Sequence, residues 1–283
     1  MHTAPTTIED RWAGLTGRER GHGQGDGSDR PFVFLHGLTF DHRMWDPVLD
    51  LLPEGRGAIA FDLPGHGGSP LLGEAGLAPV VEAVHEAVLA AGLDEPIVVG
   101  HSIGGPLAAM YAATYPAAAV VSVDAPIRIE PFAGLLASIR PELTGDRFDE
   151  VWTIFQRDMK MEAVPAPHRE LLRVGDNASQ EVVLRYQADL LDGSLDDVIR
   201  QQESGMAELR QRGVPYISLH AKPVDQDERH WLLERIPQAE IVVWPVEHHF
   251  PHLAAPDRLV ALVTGLAAGT TAPLQEHDEM RPA

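Results

Sequence analysis

The chain has 283 residues and carries 42 acidic against 22 basic side chains, a formal charge of −20. That charge repels phosphate backbones and anionic headgroups, which argues against nucleic acid or a membrane surface as a partner. A hydrophobic share of 44% excludes a wholly disordered chain, and the absence of cysteine removes disulfides, thiolate nucleophiles and cysteine-ligated metal centres.

The opening residues, MHTAPTTIEDRW, have no basic start followed by an apolar run, so no signal peptide is expected. No stretch reaches the roughly 18 continuous apolar residues of a membrane span, and a cytoplasmic protein is expected. Residues 1–30 are polar, and 21–29 (GHGQGDGSD) read as a hairpin loop before the first buried strand. No Gly-Lys-Ser/Thr follows those glycines, so they do not predict a phosphate cradle. Short, uninterrupted apolar runs then predict strands at 32–35, 58–61, 97–99, 120–123, 216–219 and 241–244, each reading as a strand buried on both faces. Between them, apolar residues at helical spacing predict helices at 79–93, 107–115, 231–236 and 258–266. This alternation predicts an α/β fold, a mostly parallel sheet flanked by helices. Residues 131–212 break it with helical patterns at 132–140, 148–161, 181–191 and 195–209, so they are expected to form an inserted helical cap. The core is then 31–130 with 213–268, and residues 269–283 are expected to be a flexible tail.

The sharpest chemical signal is Gly100-His101-Ser102-Ile103-Gly104-Gly105, between a predicted strand and a predicted helix. In that context G-x-S-x-G is a turn so tight that the serine must take a strained backbone, with small residues on either side of it. The Ser102 hydroxyl then projects from the sheet, and the Ile103 N–H points into the same space. Pro106 fits the first turn of the helix that follows, where backbone N–H groups lack intrahelical partners. At the end of the first buried strand, Gly37 in Phe34-Leu35-His36-Gly37-Leu38-Thr39 lets the chain turn so that the Leu38 N–H can face Ser102. Leu38 and Ile103 would together form an oxyanion hole, worth about 3–4 kcal/mol of transition-state stabilisation per donor. His36 is expected to be a structural hydrogen-bonding residue.

A third loop, Asp62-Leu63-Pro64-Gly65-His66-Gly67-Gly68-Ser69, is by itself a Gly/Pro turn. With the two loops above and the HHFPHLAAPD stretch near the end, it makes residues 31–267 resemble the α/β-hydrolase superfamily, in the branch holding esterases, lactonases, perhydrolase-like enzymes and carbon–carbon bond hydrolases. The resemblance implies a serine nucleophile and the chain order Ser…acid…His. The family's G-H-F-P histidine maps onto His249, with His248 standing where the family has glycine; His248 and His252 are expected to pack the loop. A metal site from His248, His249 and His252 is not expected, because Pro251 denies them a helical face and no carboxylate spacing accompanies them.

Two carboxylates compete for the third place. The family pattern H-G-x-x-D falls on His220-Ala221-Lys222-Pro223-Val224-Asp225, which puts Val224 at the acid position and Asp225 one residue late. Alternatively, Asp124 ends a buried strand 22 residues after Ser102, where other family members carry their acid. Asp124 is favoured and Asp225 is the alternative. Trp152, Phe155, Met159 and Met161 read either as the cap's own core or as an apolar lining above Ser102, and Met44 and Trp45 carry the same ambiguity.

The expected function is a serine hydrolase acting on a small, largely apolar ester or lactone, without cofactor or metal, as a monomer or homodimer. Carbon–carbon bond hydrolysis, perhydrolysis, acyl transfer, cyanohydrin cleavage on the same site, or a low-turnover ligand receptor on the hydrolase shell are the alternatives. The negative charge adds a mild bias toward neutral or cationic substrates.

Overall fold

The computed structural model describes residues 12–21 and 30–269. Apart from Gly21 and Gly269, the loop expected at 21–29 and the tail expected after 268 lie outside them. In chain order the elements are β1 (Gly17–Arg20), β2 (Phe32–Leu35), α1 (Asp46–Leu51), β3 (Ala58–Phe61), α2 (Leu77–Ala90), β4 (Ile97–His101), α3 (Gly104–Thr114) and β5 (Ala119–Val123). Then come α4 (Glu130–Thr144), α5 (Phe148–Asp158), α6 (Ala166–Arg169), α7 (Gln180–Tyr186), α8 (Ala188–Leu191) and α9 (Leu195–Arg212). The chain closes with β6 (Tyr216–His220), α10 (Gln226–Arg235), β7 (Ala239–Val243), α11 (Pro251–Ala254) and α12 (Pro256–Ala267).

Among the described residues the sheet has the order β1-β3-β2-β4-β5-β6-β7. From β3 to β7 every neighbouring pair is parallel. Strands two-sidedly buried need apolar side chains on both faces, and β2 shows the division. Phe32 and Phe34 join Trp45 on α1's side of the sheet, with Leu259, Leu262 and Val263 of α12. Val33 and Leu35 join the opposite core with Val80 and Val84 of α2 and Leu107 and Tyr111 of α3. No helix of the described residues is long and apolar enough to cross a membrane.

The strands on either side of the expected hairpin loop, β1 and β2, are not neighbours in the sheet. β1 runs antiparallel to β3, so β3 lies between β1 and β2. Gly17 permits this edge pairing, because a Cβ there would lie 2.1 Å from the Ala60 carbonyl oxygen. The stretch expected as cap, 131–212, also divides. α4, α5, α7 and α8 pack on one another away from the sheet, whereas α9 lies along α3. Met206 and Leu209 of α9 share the core of Leu107 and Tyr111, and Arg212 donates to the carbonyls of Ala112 (2.7 Å) and Tyr115 (2.9 Å). α9 is thus the crossover helix from β5 to β6, and the preceding helices form the lid. The lid is latched to the loop before α2: Tyr186 Oη donates to Pro64 O (2.9 Å), Arg185 to Leu72 O and Gly73 O, and the Leu77 N–H to Asp189.

Phe34 is fully buried, with its ring 5.2 Å from that of Trp45. Phe34→Ala is expected to cost about 3–5 kcal/mol, from lost transfer energy plus the cavity left behind. Urea unfolding followed by Trp fluorescence measures this; a loss under 1 kcal/mol would mean the site collapses without a cavity.

Candidate active site

The segments that follow β2, β4, β5 and β7 bring Leu38, Ser102, Asp124 and His249 together around one cavity. Ser102 leaves β4 with φ +53°, in the left-handed region that costs a non-glycine residue of order 1–2 kcal/mol. The turn closes only because its flanks lack side chains. A Cβ on Gly100 would sit 1.8 Å from the Gly104 carbonyl oxygen, and one on Gly104 would sit 2.4 Å from that of Leu35. The Ser102 N–H donates to Val123 O (2.9 Å), extending the β4–β5 ladder into the turn.

Asp124 leaves β5 in the same way, with φ +50° and its N–H donating to Leu219 O (2.7 Å). Its carboxylate accepts from His249 Nδ1–H at 2.6 Å through Oδ2, and from the Ala221 N–H at 2.8 Å through Oδ1. A carboxylate only accepts, so His249 Nδ1 carries a hydrogen, and in the neutral form of the ring the lone pair is on Nε2. Burial raises the Asp124 pKa, but the hydrogen bond and charge of His249 and the Ala221 N–H outweigh it, and the group stays below the usual carboxylate value. Asp225, the alternative acid, is exposed and its carboxylate caps α10 by accepting the Glu228 N–H (2.8 Å). Where the family pattern has its glycine, Ala221 supplies an N–H to Asp124.

The loop that carries Leu38 is fixed by two reciprocal bonds. His36 Nε2 accepts the Leu63 N–H (2.9 Å), and His66 Nε2 accepts the Thr39 N–H (3.0 Å), so each loop's histidine holds the other loop's backbone. In both rings Nδ1–H donates to a carbonyl, Gly37 O for His36 and Pro64 O for His66. Leu38 lies between these anchors, and neither its N–H nor that of Ile103 donates in the backbone bonds of the surrounding turns. Sequence reading identified the structural role of His36 but missed its partner, although His66 stands in the Pro64–Ser69 loop already singled out.

A cavity of about 530 Å³ lies over this edge, lined by Leu38, Ser102, Ile103, Asp124, His249 and, from the lid, Trp152, Phe155 and Met159. Met44 and Trp45 do not line it; both are fully buried in the core on α1's side, and Met161 packs against that core. His248 is buried and lines the cavity, its Nδ1 accepting the Phe250 N–H (3.2 Å). His252 is fully buried between Trp45 and His101. Of ligand-bearing side chains, Asp41, His42 and Asp62 cluster closely enough for a metal. Their oxygens are already committed: Asp62 to His42, Thr16 and Gly68, and Asp41 to Arg43. That donor set reads as a loop clamp.

A left-handed serine between a strand and a helix, beside a His–Asp pair, defines a class of α/β protein built around a half-buried side chain at the sheet's C-terminal edge. The pattern of the alpha/beta hydrolase family matches residues 32–262, and the chain belongs to that family. The 2-succinyl-6-hydroxy-2,4-cyclohexadiene-1-carboxylate synthase of Salmonella newport (strain SL254) is 35% identical over 91 residues, 32% of this chain and 36% of that protein. The chain thus spans about a third of the length of the curated relatives it matches. The structure of AqDC, described for recognition and ring-cleavage of the Pseudomonas quinolone signal, is similar with TM-score 0.73 and 19% identity, over 92% of this chain and 99% of that one. The enol-lactonase from Burkholderia xenovorans LB400 is similar with TM-score 0.69 and 16% identity, over 90% and 96%. These structural likenesses concern the fold.

Burial holds His66 down to about 3 and also lowers His36, so both rings are neutral in the folded chain. Unfolded histidines take up protons near 6.5, so between about 6.5 and 3 the unfolded chain binds more protons and stability falls with pH. His66→Gln, which can accept the Thr39 N–H without titrating, is expected to flatten that decline. Denaturant midpoints at pH 7, 6, 5 and 4 read it; parallel curves for the two proteins would refute the clamp's part in acid sensitivity.

Proposed function

We propose that the protein is a serine hydrolase that cleaves a small, largely apolar ester or lactone through an acyl-enzyme. The observation that carries this reading is the 2.6 Å bond between His249 Nδ1 and Asp124, on a histidine that lines the same cavity as Ser102. A serine hydroxyl is a weak nucleophile until a base takes its proton. His249 Nε2 takes it as Ser102 Oγ bonds to the acyl carbon, and Asp124 stabilises the imidazolium that forms. The Leu38 and Ile103 N–H groups stabilise the oxyanion. The C–O bond to the leaving group breaks as the imidazolium gives that oxygen its proton. A water then adds to the acyl carbon while passing a proton to His249, and the Ser102 ester bond breaks with Oγ recovering a proton.

The substrate class follows from the walls. Leu38, Ile103, Phe132, Leu136, Phe155 and Met159 offer apolar surface. Trp152 also lines the cavity, its indole N–H buried away from it without a partner. The enol-lactonase likeness supports the same class. A second reading has the His249–Asp124 pair act as a base in ring or carbon–carbon bond cleavage, and the likeness to AqDC favours it. The two part at the covalent step.

Fluorophosphonate is expected to label Ser102 in the wild type, and Ser102→Ala to lose both labelling and turnover of p-nitrophenyl butyrate. Asp124→Asn is expected to lower kcat by about 10³–10⁴-fold, whereas Asp225→Asn leaves it within about two-fold and costs at most about 1 kcal/mol of stability as a lost helix cap. An unlabelled wild type that still turns over substrate sinks the acyl-enzyme. Equal losses from the two aspartate variants sink the assignment of the acid.

A further inference from the structure

His101 is a buried titratable group beside the site that the chemistry above leaves unused. It is fully buried, and its Nε2 lies 2.7 Å from the carbonyl oxygen of His249. A carbonyl accepts only, so Nε2 carries the hydrogen. Burial, with His249 and His252 near it, keeps the ring well below the usual imidazole pKa and therefore neutral. Nδ1 is then a lone pair, and it has no partner. The ring is walled in by His249, Phe250 and His252, at centroid distances of 4.6, 5.1 and 4.8 Å. On its Nδ1 side stands Gly37, where a Cβ would come within 2.8 Å of that nitrogen. So packed, the ring presents its N–H to a single acceptor. The other side of the His249 backbone is held as well, its N–H donating to Met159 O at 3.0 Å.

We propose that His101 is a positioning residue: its Nε2–H ties the backbone of the base loop to the turn that carries Ser102 and keeps His249 in place once the acyl-enzyme has formed. This rests on the acyl-enzyme reading. In the acyl-enzyme mechanism the Ser102 hydroxyl gives its proton to His249 Nε2 before acylation, and that bond restrains the ring. In the acyl-enzyme that oxygen is esterified and has no proton to give. The Asp124 bond then fixes the far edge of the imidazole, and the His101 bond fixes the peptide from which the side chain hangs. Deacylation depends on this hold more than acylation does.

The test compares His101→Leu, His101→Gln and His101→Asn in stopped-flow and steady-state turnover of p-nitrophenyl butyrate. Gln places an amide N–H near the Nε2 position, whereas Asn is one bond shorter and cannot reach the carbonyl. A misplacement of about 1 Å can cost about 10²-fold in rate. His101→Leu is expected to lower kcat by about that factor, to lower KM with it, and to release a burst of p-nitrophenol matching the enzyme present. His101→Gln is expected to recover most of the loss and His101→Asn little of it. All three variants within about three-fold of wild type, Gln no better than Asn, or a slow Leu variant without a burst would each overturn the proposal. If His101→Leu does not fold, as thermal melting would show, the Gln and Asn pair decides it alone. A wild type that resists fluorophosphonate overturns the acyl-enzyme reading itself; a labelled wild type with unaffected variants overturns only the role of His101.

Discussion

Two non-glycine residues, Ser102 and Asp124, stand side by side at the ends of adjacent parallel strands, and both are held at positive φ. Each costs of order 1–2 kcal/mol of backbone strain, and neither would hold that conformation in a free chain. What holds them is the sheet, whose ladder continues past both strand ends through the Ser102 N–H to Val123 and the Asp124 N–H to Leu219. An ordinary extended residue would continue the strand and keep its side chain in the alternating pattern. The left-handed turn breaks that alternation at two neighbouring positions, and both side chains border one cavity. The glycines at 100 and 104 are the steric condition for the first turn, since any Cβ there would meet a backbone carbonyl. The site is in this sense a property of the sheet edge, and the core beneath it, Phe34 and Val33 included, is what keeps that edge rigid.

The lid is joined to this edge at the base. α5 ends at Asp158, and Lys160, at φ +52°, turns the chain so that the Met159 carbonyl accepts from the His249 N–H. Phe155 and Trp152, about one and two turns back, line the cavity from the same helix. A ligand that presses on those rings presses on the helix whose end holds the His249 backbone. Binding and base position therefore share one mechanical element, and a shift of α5 would act through the Met159 bond without touching Asp124.

How much of this could be read beforehand depended on burial. The two-sidedly buried strands announce themselves as apolar runs, and Phe32–Leu35 and Ala58–Phe61 match their predicted bounds residue for residue. β1 has the sequence GRER, every residue only partly buried, so no hydrophobic pattern marks it; its pairing is set by the edge of β3. β7 slipped by two residues at its start for the same reason, since an edge strand carries a mixed pattern. α10 was expected from 231 and begins at Gln226, because its first turn is exposed and acidic. That missed turn held the one local signal bearing on the two rival aspartates. Asp225-x-x-Glu228 is the spacing of a helix N-cap, so the Asp225 carboxylate is engaged by its own helix. The preference for Asp124 rested on its place at a strand end; the cap is the physical reason Asp225 stands apart. The His36–His66 reciprocity was not legible, because two loops 27 residues apart meet only after β2 and β3 pair.

The chain has 14 histidines, and among those in the described residues the folded environment sets His249 apart without any appeal to the motif. His36, His66, His101, His220, His248 and His252 are all shifted downward, with burial the largest cause in each. Buried without a carboxylate partner, an imidazole is a neutral hydrogen-bonding unit; His36 and His66 serve as such between two backbone groups, and His101 toward the His249 carbonyl alone. A base needs the opposite: a partner that welcomes the proton it takes and an open nitrogen facing the substrate. His42 has such a partner in Asp62, which outweighs burial and raises its pKa, but it clamps a loop and does not line the cavity. His249 has both, with Asp124 on Nδ1 and the cavity beside it. The neighbouring neutral rings matter to that arrangement. A charged imidazole at His101, 4.6 Å from the His249 ring, would oppose the positive charge that the proposed mechanism places on His249.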